Sequence, residues 1–217
     1  DMQKIAGMKL ANAFDLRTKM ERESRPEELP DGVNYVVLDV LADAEQANPA
    51  ILEKLLQNPE QANEELGGGK AEAGFVDSYR QFVSLPRAQR SYKELFMSLA
   101  DHEKVPAVFH WTTGKDRTGW AAAAFLTLMC VSEKDVYQDY LKSNDNILNN
   151  YKSVVDAFVE AGGDRSIPES ILGVKKEYLD ASFNEMKSKF GTIENYFSEA
   201  LGIDEETQKK MKRMYLK

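Results

Sequence analysis

VPAVFHWTTGKDRTGWAAAAFLTLM, residues 105–129, joins a short apolar run, a polar glycine-containing loop and a long apolar run. Val105 to His110 is too short for a helix and apolar enough for a buried central strand. Thr118 to Met129 is almost wholly apolar at helical length, so it is expected to be a helix buried on most sides. A strand-loop-helix element turns successive backbone N–H groups and a helix N-terminus into one concavity, which favours an oxyanion. Gly114 opens backbone conformations closed to other residues and so permits a tight curl. Arg117, at the helix start, carries a planar fork that grips two oxygens of a phosphate at once. The loop from His110 to Gly119 therefore has the parts needed to hold a phosphate dianion.

A nucleotide-binding Walker loop is the competing reading, because Gly114-Lys115 looks like its end. That motif needs a glycine five residues before Gly114, where Phe109 stands, and Ser or Thr after the lysine, where Asp116 stands. The mismatch removes it.

Upstream of the loop, a helix end and a turn at Gly7 lead to a strand through Ala13 and Phe14. Val33 to Val40 (VNYVVLDV) is rich in β-branched and aromatic residues and reads as a second strand. Asn48-Pro49 and Asn58-Pro59 each put a capping asparagine before a proline suited to a first helical turn. Two short helices are expected there, the second ending at Gly67-Gly68-Gly69, and residues 45–75 read as a helical flap or insertion. Tyr92, Leu95, Phe96 and Leu99 recur at helical spacing and place an amphipathic helix over Arg87 to His102. Downstream, Ser132 caps a helix with a stripe of Val136, Tyr137, Tyr140 and Leu141. Val174, Tyr178, Leu179, Phe183, Met186 and Phe190 form one face closed by Gly191. Thr192 and Asp204 open the last helices. Strands early and helices late, without a domain-like linker, predict one α/β domain over 1–217: a small, mostly parallel sheet flanked by helices, with a helical C-terminal layer.

The chain is 217 residues long, 42% apolar and 29% charged, which fits a folded globular protein with a real core. Its net charge of -8 repels nucleic acid and anionic membranes as a whole, while leaving room for a local basic pocket. The single cysteine, Cys130, allows no internal disulfide. No stretch approaches the ~20 apolar residues of a membrane helix. No signal peptide is visible, yet the sequence enters in mid-helix at Asp1, so cytoplasmic and exported locations both stay open, as does the oligomeric state.

The loop resembles the H-C-x5-R signature of protein tyrosine phosphatases. In its H-C-x-x-G-K-D-R-T-G form it is similar to a bacterial branch of tyrosine and dual-specificity phosphatases, some of which also act on phosphoinositides. The resemblance continues through Asp15-Leu16-Arg17-Thr18 with the later Gly32-Val33-Asn34-Tyr35, Tyr137 to Asn144, Ile171 to Leu179, and Tyr196 to Gly202. It implies a tyrosine phosphatase-like fold, whose N-terminal stretch should precede Asp1. It also implies a phosphorylated protein or phosphoinositide as substrate, with neither metal nor cofactor. By that resemblance a cysteine thiolate attacks phosphorus, and Arg117 clamps the phosphoryl oxygens. The backbone of Thr112, Thr113, Gly114 and Lys115 stabilises the charge, and Thr118 would hydrogen-bond the thiolate. Asp116 is the candidate proton donor to the leaving alcohol, Lys115 favours extra negative charge on the substrate, and His110 supports the loop.

The resemblance fails at one position, where Trp111 stands in place of the cysteine. Indole has no nucleophilic lone pair and forms no phosphoryl intermediate. Covalent catalysis is thus expected to be impaired or lost. Trp111 is either a substitution, deliberate or accidental, in an active phosphatase, or the natural residue of a pseudophosphatase that binds phosphorylated ligands or a protein partner. The intact Lys115, Asp116, Arg117 and Thr118 favour the first.

Other conspicuous residues have plainer readings. Trp120 and Ala121 to Ala124 are expected to serve close helix packing. His102 sits at a helix end, and the Lys-rich C-terminus (Lys209, Lys210, Lys212, Arg213, Lys217), preceded by Asp204-Glu205-Glu206, reads as a solvated helix face in preference to a contact with acidic lipid. Asp39 either lines the pocket or caps a turn. Cys130 lies at the far end of the apolar helix, ~15 Å or more from the loop at 1.5 Å per residue, too far to replace the missing nucleophile.

Overall fold

A computed structural model of the chain describes residues 2–42 and 56–216. The helix expected to open at Asn48-Pro49 falls outside these residues. A first helix, α1 (Met2–Gly7), leads into a three-stranded sheet of β1 (Asn12–Asp15), β2 (Asn34–Val37) and β3 (Ala107–His110) in the order β2-β1-β3. Both pairings are parallel, with Phe14 opposite Val36 on one side and Phe109 on the other. That row packs on the main apolar core, in which Phe14 is buried and Val36 and Phe109 are partly covered.

The strand that feeds the loop was expected to be central. Among the described strands it lies at an edge, and β1 is central instead, with all four of its residues buried. The apolar run of residues 105–110 is explained differently: Phe109 faces the core while Val108 is exposed. The second strand is shorter than expected. After Val37 the chain leaves the sheet, and Leu38, Val40 and Leu41 are buried beyond it.

Helix α2 (Lys19–Ser24) follows β1 and carries a full capping box, Thr18 with Glu21. Asn58 caps α3 (Pro59–Leu66), with Pro59 in its first turn. The glycine run ends that helix, and Gly68 and Gly69 both take positive φ. Lys70–Ser84 then forms α4, whose Tyr79, Phe82 and Val83 are core residues. The next helix, α5 (Pro86–Leu99), stops before His102, which sits exposed in a short 3-10 turn.

The long apolar run becomes α6 (Arg117–Leu128), with Trp120, Ala121, Ala123 and Ala124 buried. The indole of Trp120 meets the rings of Phe183 and Tyr196 edge-on at 5.4 and 5.7 Å. Ser132 caps α7 (Glu133–Leu141) by accepting from the amide of Asp135. Three shorter helices follow: α8 (Ser143–Asn150), α9 (Lys152–Glu160) and α10 (Ser166–Leu172). Then α11 (Lys176–Phe190) packs on α4 through Tyr178, whose ring lies 5.6 Å from that of Tyr79. A turn at Ile193–Asn195 and the π-helical Tyr196–Ala200 precede α12 (Glu205–Tyr215). Its basic residues pair with acidic neighbours, Lys209 with Glu205 and Arg213 with Glu206, as a solvated face requires. The architecture is the small parallel sheet with surrounding helices that the sequence predicts. No helix among the described residues is long and apolar enough to cross a membrane.

Candidate active site

The signature loop leaves β3 at His110, curls, and enters α6 at Arg117. The curl is closed by the Gly114 amide, which donates to the Trp111 carbonyl at 3.2 Å. Gly114 has φ +70, and a Cβ there would meet nothing within 4 Å, so it is the backbone conformation that selects glycine. The amides of Thr112, Thr113, Lys115 and Asp116 have no acceptor among the described residues. Four buried side-chain atoms of the loop are likewise without a hydrogen-bond partner: His110 Nε2, Thr113 Oγ1, Arg117 Nε and Thr118 Oγ1. Buried donors are normally satisfied, and open ones concentrated in one loop are able to receive a polyoxygen ligand.

Arg117 is 3% exposed, and its Nη1 is held 2.7 Å from Glu21 Oε2. The other edge of the guanidinium, at Nε, remains free to bond. Glu21 was not singled out from sequence. Its signal was the Thr18-Lys19-Met20-Glu21 capping box directly after Asp15-Leu16-Arg17. Beyond Arg117, Glu21 Oε1 accepts from the Trp111 indole at 2.5 Å and from Thr112 Oγ1 at 3.0 Å. Burial pushes the Glu21 carboxyl up, but the Arg117 charge and the bonds from Arg117 and Thr18 outweigh it and hold it below the usual carboxylate value.

Trp111 fills the start of the loop. Its ring lies 4.7 Å from the Arg117 guanidinium carbon and 5.6 Å from Lys115 Nζ, so two cations face one indole. Lys115 is 1% exposed and turned inward, with Nζ 4.9 Å from the Phe75 ring. It bonds both carboxylate oxygens of Asp116, at 2.9 and 2.8 Å. Burial lowers the lysine's pKa, and the charge of Asp116 opposes that. Asp116 is 2% exposed and makes no side-chain cap on α6. It accepts a third bond from the buried Tyr79 hydroxyl at 2.8 Å.

His110 stands beside the loop with Nε2 3.4 Å from Glu27 Oε2. Asp15, Glu27 and His110 bring potential metal-ligand atoms within 4.8 Å of one another. However, Arg17 Nη2 already lies 2.7 Å from Asp15 and 2.8 Å from Glu27, so a guanidinium supplies the positive charge between these carboxylates. Asp39 caps a turn: its carboxylate accepts from the amides of Lys19 and Leu41. Cys130 is exposed beyond the far end of α6, about 18 Å from the loop by helical rise.

The structure thus draws together Trp111, Thr112, Lys115, Asp116 and Arg117, and adds Glu21 and Tyr79. Comparison with known proteins gives the family. The triple specificity protein phosphatase PtpB of Mycobacterium tuberculosis is 27% identical over 231 residues, covering 95% of this chain and 82% of PtpB. A Cupriavidus necator protein whose name places it among tyrosine-protein phosphatases is 33% identical over 109 residues, covering 50% of this chain and 40% of that protein. The sequence profile of the tyrosine phosphatase family matches residues 1–217, and the chain belongs to that family.

Proposed function

We propose that this chain carries the phosphate cradle of a cysteine-dependent phosphatase for phosphotyrosine, with phosphoserine, phosphothreonine or phosphoinositides as further substrates of the same class, and that Trp111 leaves it without turnover. The observation that supports this is a set of open donors beside the Trp111 ring. Arg117 Nε, Thr113 Oγ1 and Thr118 Oγ1 are unpartnered among the described residues, and the ring lies 4.7 Å from the Arg117 guanidinium carbon, at the position that the resemblance gives to the thiolate. In the reaction with cysteine restored, the thiolate bonds phosphorus and the P–O bond to the alcohol breaks. Arg117 and the loop amides hold the equatorial oxygens, and water then hydrolyses the thiophosphate.

The test compares the unaltered chain with Trp111→Cys on p-nitrophenyl phosphate. Turnover is expected only with cysteine, and turnover by the unaltered chain refutes the reading.

The unsatisfied donors also favour a second reading, in which the unaltered chain recognises phosphorylated ligands without cleaving them. Calorimetric titration with phosphotyrosine and inositol phosphates separates the two. Saturable binding by the unaltered chain supports a recognition module. Binding seen only after Trp111→Cys supports a disabled enzyme in which the indole obstructs the cradle.

A further inference from the structure

Asp116 and Lys115 are adjacent in the loop, and both side chains are buried in one network with two other helices. Tyr79 of α4 gives its hydroxyl proton to Asp116 Oδ1 at 2.8 Å. Its oxygen lies 2.7 Å from the hydroxyl of Tyr140 of α7. With that proton committed to Asp116, Tyr140 must be the donor between the two tyrosines. Lys115 completes the set with bonds to both oxygens of Asp116. Tyr79 itself is fixed among the rings of Phe82, Tyr140 and Tyr178 at 5.0, 6.2 and 5.6 Å.

Both carboxylate oxygens of Asp116 are thus taken by donors from within the protein, and the residue is 2% exposed. Neither oxygen can reach a leaving group without giving up those bonds. What the network does fix is the backbone. The amides of Lys115 and Asp116 are two of the four in the loop without an acceptor among the described residues, and their side chains cannot swing without breaking the network.

Resting on the phosphatase reading above, we propose that Asp116 is a positioning residue, supported by Tyr79, that locks the Lys115 and Asp116 amides for the phosphoryl oxygens and does not protonate the leaving group. The P–O bond then breaks with its electron pair on the departing oxygen. A phenol leaves as phenolate and takes its proton from solvent water, in keeping with the loose transition state of phosphoryl transfer.

The test uses Trp111→Cys as parent, with Asp116→Asn and Tyr79→Phe added separately. Each is assayed on p-nitrophenyl phosphate, a good leaving group, and phenyl phosphate, a poor one. Vanadate inhibition and melting temperature are also measured. A misplaced cradle is expected to lower kcat/KM on the order of 10- to 100-fold in Asp116→Asn, with a smaller loss in Tyr79→Phe. Both losses should be equal for the two substrates and matched by weaker vanadate inhibition, because the same amides hold the pentacoordinate mimic.

A general acid contributes about 10²–10⁴-fold where the leaving group needs its proton. A loss in Asp116→Asn confined to phenyl phosphate therefore overturns the positioning role while leaving the phosphatase reading intact. A Tyr79→Phe chain that melts lower with unchanged kinetics and vanadate affinity assigns Tyr79 to packing alone and overturns its part. A Trp111→Cys parent that neither turns over nor binds vanadate sinks the phosphatase reading, and the positioning role with it.

Discussion

The Trp111 indole N–H donates to Glu21 Oε1 at 2.5 Å, while Glu21 Oε2 holds Arg117 Nη1 at 2.7 Å. One carboxylate therefore ties Trp111, at the start of the loop, to Arg117 at its end. The indole has become part of the site's own bonding, so its removal has consequences beyond chemistry.

Trp111→Phe keeps an aromatic ring over Arg117 but deletes the bond to Glu21. Glu21 Oε1 would retain Thr112, so the loss is that of one hydrogen bond to a charged acceptor, about 1.5–3 kcal/mol. Urea unfolding of the two chains reads this directly. The phenylalanine chain should have the lower midpoint and, lacking a thiol, should remain without phosphatase turnover.

Glu21→Gln is expected to be more costly, because it leaves the Arg117 guanidinium buried without its counter-charge. Breaking a buried pair in this way costs about 3–5 kcal/mol. It should also change the response to acid. Glu21 is held below its ordinary value of 4.5, so the stability it contributes is complete above that pH and is lost as pH falls through the depressed value. Thermal melts from pH 7 down to pH 3 should show the unaltered chain losing this increment and Glu21→Gln showing a shallower decline.

Gly119→Ala sets two effects against each other. Alanine favours a helix over glycine by about 1 kcal/mol. Yet a Cβ at Gly119 would sit 3.0 and 3.1 Å from two ring carbons of Tyr140. That ring is 4% exposed and its hydroxyl is bonded to Tyr79, so it has little room to retreat. Overpacking, at about 1–3 kcal/mol, should win. The expected result is a lower melting temperature, and a stabilised variant would show that Tyr140 can move.

Trp120→Ala removes the largest fully buried side chain, the one that seats α6 on Phe183 and Tyr196. Deleting a buried tryptophan costs about 3–5 kcal/mol. Circular dichroism melts should show a drop of about 10 °C, taking ~2–4 °C per kcal/mol for a chain of this size.

Local sequence was a good guide wherever local chemistry sets the structure. Gly114 needs its positive φ, Asn58-Pro59 and Ser132 place their caps, and the apolar run after Arg117 has to be a buried helix. The signature loop was legible for the same reason, since its curl and its arginine lie within a few residues of each other. Sheet order was not legible. Apolar character places a strand against the core without saying which neighbour it takes, and the strand read as central is an edge among the described strands.

The sequence by itself determined a strand-loop-helix with a glycine curl, Trp111 at the start of the loop and an arginine at the start of the helix. Only the tertiary structure decided what surrounds that loop. Glu21 reaches Arg117 across 96 positions of chain and Tyr79 reaches Asp116 across 37. Partners so distant meet only when α2, α4 and α6 have packed on a common core. A buried charge must then be neutralised by whatever group packing brings within reach, and no local pattern specifies which one that is.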